Sequence, residues 1–531
     1  MKREIAKVKM EFAKEESVNV DKDLFPNLTA NLDSIQREFN NSSDLVIRCF
    51  DLEGSRHDKG AVVFIEGLVD KKQVEWSILR PLMLMAERTH EKPGLGDPLK
   101  YIESSLITVG DINRESQFDR VISALLSGKT LFMVEGSQEA LAIATPGWEK
   151  RGIEQPDSEI VIKGPREGFI ETLQTNMALL RRKLGDPALT FERLQVGTRT
   201  KTDVCIAYLK DIAVPKLIEE IKARLKRVST DGIIFAGALE EFIEDSPLSF
   251  FATMGYTERP DVVCSKLLEG RAAILVDGTP VVLTAPFLFI ENFQSPDDYT
   301  FKPFFGSLIR WVRYTAFGIS SLLPALYVAL TAFDQELIPT KLLITMAAAN
   351  EGTPFPGVVE ALGMGLLFEI LREAGIRLPK PVGQTISFIG ALVIGEAIVT
   401  AGLVGAPLVI VIALTAIASF VTPNLVQEST IIRFSLVILA GFLGAFGIAI
   451  GLLLLLIHLV SLRSFGVPLL WPIAPMDLRG LAQDVIIRAP GRTMYTRPKA
   501  LNPQNRIRRD FYPWPRLPQD DNGGDNDENF E

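Results

Sequence analysis

The chain has 531 residues, 47% of them hydrophobic and 23% charged, with a net charge of −9. That length leaves room for three or four domain-sized units. Mild acidity, with no Lys/Arg face and no basic motif interleaved with aromatics, excludes nucleic acid as a partner. The averages hide a partition: the chain is charged and mixed as far as Tyr299, whereas Tyr314–Leu462 is mostly Leu, Ile, Val, Ala, Gly and Phe.

Residues 1–43 form a charged segment without the apolar stretch of a secretory signal, so the soluble region is expected to begin in the cytoplasm. Cys49, Cys205 and Cys264 are too few and too far apart for a disulfide framework or a zinc site. Next comes a repeat. Val121–Gly136, followed by an apolar run to Pro146, reads like Val262–Gly278, followed by VVLTAP to Pro286. Each reads as helix, Gly turn, strand, acidic-Gly hairpin and strand. Upstream lie short apolar strands opened by an aspartate, Asp44–Phe50 and Asp203–Leu209, then helices near Val74–Glu87 and Val214–Leu225. The pattern predicts two similar tandem α/β subdomains, 44–160 and 203–299, with cores 44–146 and 203–286. A linker helix region, 161–202, joins them through a helix near Arg166–Lys183.

Ser127-Gly-Lys-Thr130 imitates the tail of a phosphate-binding loop, but it lacks the earlier glycine and runs from helix to strand, so no phosphate cradle forms. His57, His90 and His458 are isolated, and no nucleophile or metal-ligand pattern occurs. The sequence therefore predicts no catalysis, no cofactor and no metal.

A bilayer core takes about 20 apolar residues in a helix. Tyr314–Phe333 and Phe434–Ile457 meet that length without an acid, and Thr385–Val404 meets it with one, Glu396. Pro356–Leu371 carries Glu360 and Glu369, and Pro407–Val421 is short. A transmembrane helical domain is thus expected over 300–465. Lys302, Arg310 and Arg313 before the first span, and Arg463, Arg479, Arg488 and Arg492 after the last, place both termini in the cytoplasm. Four crossings result, with Pro407–Val421 dipping in without traversing. A cytoplasmic segment, 466–488, and a disordered Pro/Arg/Asn-rich tail, 489–531, complete the chain. An unpaired central carboxylate costs at least ~2.5 kcal/mol on insertion scales, so Glu396 is expected to face water. Glu351 and Glu360 flank the break at Thr353-Pro-Phe-Pro356.

Several stretches together resemble the A subunit of GerA-type spore germinant receptors over about residues 40–480. They are Ile162-Lys-Gly-Pro-Arg-Glu-Gly-Phe169 with Asn176 and Arg181-Arg-Lys183, Glu351-Gly-Thr-Pro-Phe-Pro356, Phe368-Glu-Ile-Leu-Arg-Glu-Ala-Gly375, Arg377–Gln384 and Gly390–Gly395. The family-motif positions are Gly164, Pro165, Arg166, Glu167, Asn176, Arg181, Arg182, Pro354, Pro356 and Glu369. The resemblance implies a multi-pass subunit of the spore inner membrane, forming a homo-oligomer and assembling with a transporter-like B subunit and a C lipoprotein. It further implies a ligand-gated pore that releases cations, for which Glu396, Glu360, Glu351 and Thr353 are the candidate lining residues. The family is expected to carry a neutral Gln where this chain has Glu396. A dipicolinate-release paralogue, and a transporter or scaffold subunit, are the alternative readings.

Overall fold

A computed structural model describes residues 23–51, 59–85, 98–147, 159, 161, 163–377 and 395–508. The first unit is a five-stranded antiparallel sheet of β1 (Leu45–Asp51), β2 (Lys59–Ile65), β3 (Ile112–Glu115), β4 (Lys129–Val134) and β5 (Ala140–Ala144), ordered β1-β2-β4-β5-β3. Successive strand residues point to opposite faces. Ala61, Val63 and Ile65 therefore pack with α1 (Leu28–Glu38) and α2 (Phe118–Leu126). Val62 and Phe64 pack with helices over 71–85 and Pro98–Ser105. Both faces are covered, which is why the inner strands are continuous apolar runs.

The second unit repeats the plan. Strands β6 (Leu189–Val196), β7 (Thr202–Leu209), β8 (Gly255–Thr257), β9 (Ala272–Val276) and β10 (Val282–Ala285) have the order β6-β7-β9-β10-β8. Helices α3 (Leu173–Lys183) and α5 (Pro260–Leu268) cover one face. Helices α4 (Pro215–Arg227) and Ala236–Ile243 cover the other. The likeness extends to single hydrogen bonds. Asn31 Oδ1 accepts from Phe25 N (2.9 Å) while its Nδ2 donates to Phe25 O, and Asn176 makes the same pair of bonds with Ile170. Leu28 N donates to Glu135, and Leu173 N donates to Asp277, each at 3.0 Å. The acid of each acidic-Gly hairpin thus satisfies a free N–H at the start of its unit's first helix. Gly136 (φ +86°) and Gly278 (φ +88°) take the left-handed turn that follows.

Three expected boundaries are corrected. The 161–202 region is not a linker: α3 and β6 are the first helix and edge strand of the second unit, and the helix starts at Leu173, not Arg166. Asp44–Phe50 consequently corresponds to β6 rather than to Asp203–Leu209. The half-exposed residues of β6 (Glu192 to Gln195) gave it no apolar signature. The 1–43 segment contains α1, a core helix. Residues 489–508 are ordered against the second unit rather than disordered. There Gln504 N donates to Ile212 O (3.0 Å), Arg497 Nε donates to Leu268 O (2.7 Å), and Leu501 is buried. Backbone carbonyls of the unit supply what the tail lacks in apolar residues. Residues 509–531 lie outside the described set.

The apolar half contains α6 (Pro303–Ala332), α7 (Gly357–Arg377), α8 (Ala406–Val421) and α9 (Val426–Ser461), plus a short helix, Thr340–Asn350. Two described helical stretches, Pro303–Ala332 and Pro423–Ser461, are long and apolar enough to cross a membrane. The second is not one rod. At Gly444 the backbone leaves the helix (φ 59°, ψ −143°), and a Cβ on Gly447 or Gly451 would strike Leu439 and Leu436. Residues eight or more apart along a straight helix cannot meet this way, so α9 is a hairpin of arms 426–443 and 445–461, each roughly 25 Å long. This corrects the single span Phe434–Ile457, because apolarity on both sides of a glycine turn reads as one run.

The bundle has a near end, against the soluble units, and a far end. Thr331 of α6 faces Gly357 of α7 at the far end, and Gly405 sits on Asn350 there. Asp334 meets Ala445 N (3.1 Å), while His458 returns to Ser249 (3.0 Å) at the near end. Helix α8 runs from Gly405 to the near-end cluster of Leu425, Leu288 and Val485. It traverses the bundle rather than dipping into it, its 16 residues being uninterrupted. Of Thr385–Val404, residues 385–394 lie outside the described set, and 395–400 are helical.

Gly444 occupies a backbone region nearly restricted to glycine, and a Cβ there would also press on Phe333. Gly444→Ala is expected to destabilise the bundle by about 1–3 kcal/mol, read as a lower midpoint in thermal unfolding of the detergent-solubilised chain. An unchanged midpoint would mean that the reversal is not there.

Candidate functional site

The candidate site is two joints rather than one pocket, and family-motif residues build the first of them. The first lies between the units. Arg181, at the end of α3, is fully buried, and its Nε and Nη2 donate to the Asp44 carboxylate at 2.9 Å each. Nη2 also reaches Ser42 Oγ, Nη1 donates to Asp186 O, and the guanidinium lies over the Phe39 and Phe191 rings. A planar guanidinium matches a carboxylate bidentately, so the geometry is specific as well as attractive. Asn176, in the same helix, holds the Ile170 turn.

Residues 163–169 form a strap along the second unit. Pro165 O accepts from Arg259 Nη2 (2.9 Å), and Phe169 N donates to Glu258 O (2.8 Å). Gly164 also lies against Arg259, and Lys163 N reaches Asp297 beside the bundle. Glu167 pairs with Arg182 (2.5 Å) and Lys183 (2.7 Å). Burial opposes its ionisation, but the Lys183 and Arg182 cations prevail and hold its carboxyl below the usual range. Arg166 is exposed.

The second joint is the seam where the soluble region meets the bundle. Asp298 and Arg310 are both fully buried and pair at 3.0 Å, and Arg313 adds a second donor to Asp298 at 2.8 Å. Arg310 also meets Asp484 (2.9 Å), which accepts from Tyr299 Oη (2.7 Å). The 478–488 segment thereby clasps the start of α6. Trp311 Nε1 donates to Ile486 O, Tyr314 Oη donates to Val485 O, and Arg488 N donates to Ser307 Oγ. Burial pushes the Tyr299 phenol well above its ordinary value, and the Asp484 carboxyl is raised by burial despite Arg310. Just upstream, Arg271 and Lys266 both pair with Glu291. Against the cost of burial, these two cations hold Glu291 below its ordinary range.

The acids of the apolar half are dispersed. Glu369 pairs with Arg372 (2.5 Å) and with buried Arg433, and it accepts from Thr430. Glu360 is buried and faces Gly405 N. Glu351, Pro354 and Pro356 are exposed at the far end, where Thr353 Oγ1 donates to Asn350 O. Glu396 is exposed on the 395–400 helical stretch. Sequence reasoning missed the seam: Arg310 and Arg313 read only as topology signals, and Asp298 and Asp484 were not singled out. The only available signal was opposite charge flanking an apolar run. Among the described residues, no group of three or more His, Cys, Asp or Glu side chains could hold a metal.

Two tandem units joined by a buried ion pair, and seated by a second one on an apolar helical bundle, define a soluble region built as one body with a membrane-type domain. Residues 33–500 match the family described as Bacillus/Clostridium GerA spore germination protein. The chain is 42% identical over 487 residues to spore germination protein KA of Bacillus subtilis (strain 168), covering 91% of this chain and 88% of that one. It is 40% identical to the uncharacterized membrane protein YfkQ of the same strain, covering 92% and 94%. The crystal structure of the N-terminal domain of the A subunit of the Bacillus megaterium spore germinant receptor GerK3 is 34% identical. It matches 51% of this chain and 99% of that one, with a TM-score of 0.41. The chain belongs to the GerA spore germination protein family.

Removing one partner of a buried pair strands the other charge, at a cost of about 3–5 kcal/mol. Arg181→Met is expected to lower the chemical-denaturation stability of the full chain by that order. Arg181→Met combined with Asp44→Asn should recover most of the loss. Equal losses in the single and double variants would contradict the pairing.

Proposed function

We propose that the chain is the A-type subunit of a germinant receptor: a non-enzymatic, multi-pass protein of the spore inner membrane that assembles with copies of itself. The transporter-like B subunit and C lipoprotein expected from the family resemblance would be its partners. Opening of its pore would release cations and start germination. The chain enters and leaves the bundle at its near end, which supports an even number of crossings, and the Lys/Arg residues flanking the apolar half support a cytoplasmic side for both termini.

The observation that carries the pore reading is Glu396. It is an exposed carboxylate on a stretch between apolar helices, in a bundle whose outer face shows Phe442, Phe446 and Ile417 to its surroundings. Against lipid such a group is costly, so it is expected to face water or a neighbouring subunit. In a symmetric assembly one acid becomes a ring, which attracts cations.

Glu396→Gln is expected to leave abundance and assembly unchanged while altering the rate of cation release from spores. Glu396→Lys should block release. Wild-type abundance, assembly and release in Glu396→Lys would remove Glu396 from the ion path.

A further inference from the structure

The bundle is short for a bilayer, and the soluble side next to it is rich in exposed apolar groups. A hydrocarbon core is about 30 Å thick. The 16 residues of α8 span roughly 24 Å, and the arms of α9 roughly 25 Å each. Helix α6 is longer. Its 30 residues stretch roughly 45 Å, and it is level with its neighbours at Phe333, which lies against Gly444. Its first turns therefore run on past the near end.

Three stretches meet at that end, and each bares large apolar side chains. The first turns of α6 bury Gly306 and Arg310 in the seam and leave Phe304, Leu308 and Trp311 exposed as one stripe on the other side. The 469–488 segment packs Leu469 and Leu470 against the returning arm of α9 and Val485 against Leu425, yet Met476 and Leu478 stay exposed. In the 246–251 loop, Ser249 Oγ meets His458 Nε2 at 3.0 Å, and the Phe250 ring stacks on that imidazole at 5.6 Å. Leu248, one residue away, is fully exposed. It therefore stands at the depth of Ile457 and Val460, which the returning arm turns outward.

Charge is sorted in the same way. No acid within these three stretches is exposed, whereas Lys302, Arg463 and Arg479, within or beside them, are. At the far end, by contrast, Glu336 and Glu351 are exposed along with Lys341. Apolar side chains, a tryptophan whose N–H is satisfied at Ile486 O, and cations without exposed acids are what a bilayer's headgroup layer accepts.

We infer that the interfacial layer of the bilayer occupies this collar, so that phospholipid touches the 246–251 loop, the 469–488 segment and the first turns of α6. The collar supplies the apolar thickness that α8 and α9 lack. Its lysine and arginines face anionic headgroups. Arg310 and Asp484 of the seam belong to two of the same stretches, so the latch lies at headgroup depth.

The inference rests on the reading that the bundle crosses a bilayer, and its test separates the two. The full chain with Cys49→Ser, in which Cys205 and Cys264 are buried, is labelled with a polarity-sensitive maleimide dye at Leu248→Cys, Leu308→Cys or Met476→Cys. Each of these positions is exposed, so the replacements disturb no packing. Each variant is reconstituted into vesicles of phosphatidylcholine and phosphatidylglycerol. Dye at all three positions should emit at shorter wavelength, lose emission to a phospholipid spin-labelled at the top of its acyl chain, and resist iodide. Dye on native Cys49 in the unsubstituted chain should show the reverse, and dye at Val460→Cys should behave like the collar. Iodide quenching at Leu248→Cys and Met476→Cys, with Val460→Cys still quenched by lipid, would put the collar in water and overturn the inference. Shielding of the collar from both quenchers would overturn it too, because a protein partner would then cover the collar. Failure of the lipid quencher at Val460→Cys as well would overturn the membrane reading along with it.

Discussion

The structure depends most on the buried charge cluster at the seam. Taking Asp298 and Arg310 out of water costs several kcal/mol per ion, which close pairing offsets. Arg313, Tyr299 and Asp484 add partners from separate stretches of chain, while Asp298 Oδ1 makes no hydrogen bond. Each stretch is therefore fixed by the others. The soluble region cannot turn on the bundle without leaving at least one charge buried and alone. A second node, Arg271 and Lys266 with Glu291, sits where the second unit's last strands lead toward the seam. With Arg181 and Asp44 farther up, buried ion pairs stand at each junction from the first unit to α6.

Apolar packing provides bulk and the ion pairs provide position. Phe251, Phe287 and Phe289 of the soluble side pack into the same cluster as Leu459 and Leu462 of the returning arm of α9. The edge-to-face contacts among Phe289, Phe293 and Phe317 continue it into α6. Such contacts are only loosely directional and would tolerate sliding. The charges in the middle do not. An aromatic seat around a polar latch would pass a small shift in the soluble units on to the helices rather than absorb it.

The sheet cores were legible in the sequence because doubly buried strands are continuous apolar runs. The acidic-Gly hairpins were legible because glycine must take the positive φ there. Strand β6 was not, since Glu192, Arg193 and Gln195 look outward and mimic a linker. The hairpin within α9 was hidden for the opposite reason: Gly444 stands among Gly441, Gly447 and Gly451, and a glycine stripe reads as close packing as readily as a turn. Motif residues marked where the chain is jointed without saying what they join. Arg181 and Asp44 are far apart in sequence, and no local pattern couples them. The pairing of Arg310 was not legible because a basic residue beside an apolar run has two meanings, a solvated flank or half of a buried pair. Only the position of Asp484 separates them.

We propose that the seam transmits the state of the soluble region to the bundle. This is tested most directly by Asp298→Asn in spores carrying that variant as their only copy, comparing nutrient-triggered cation release with the amount of receptor in the membrane. Asp298→Asn strands the Arg310 and Arg313 cations, so the amount of receptor is expected to fall and release per remaining receptor is expected to be lost. Full release at normal abundance would contradict it.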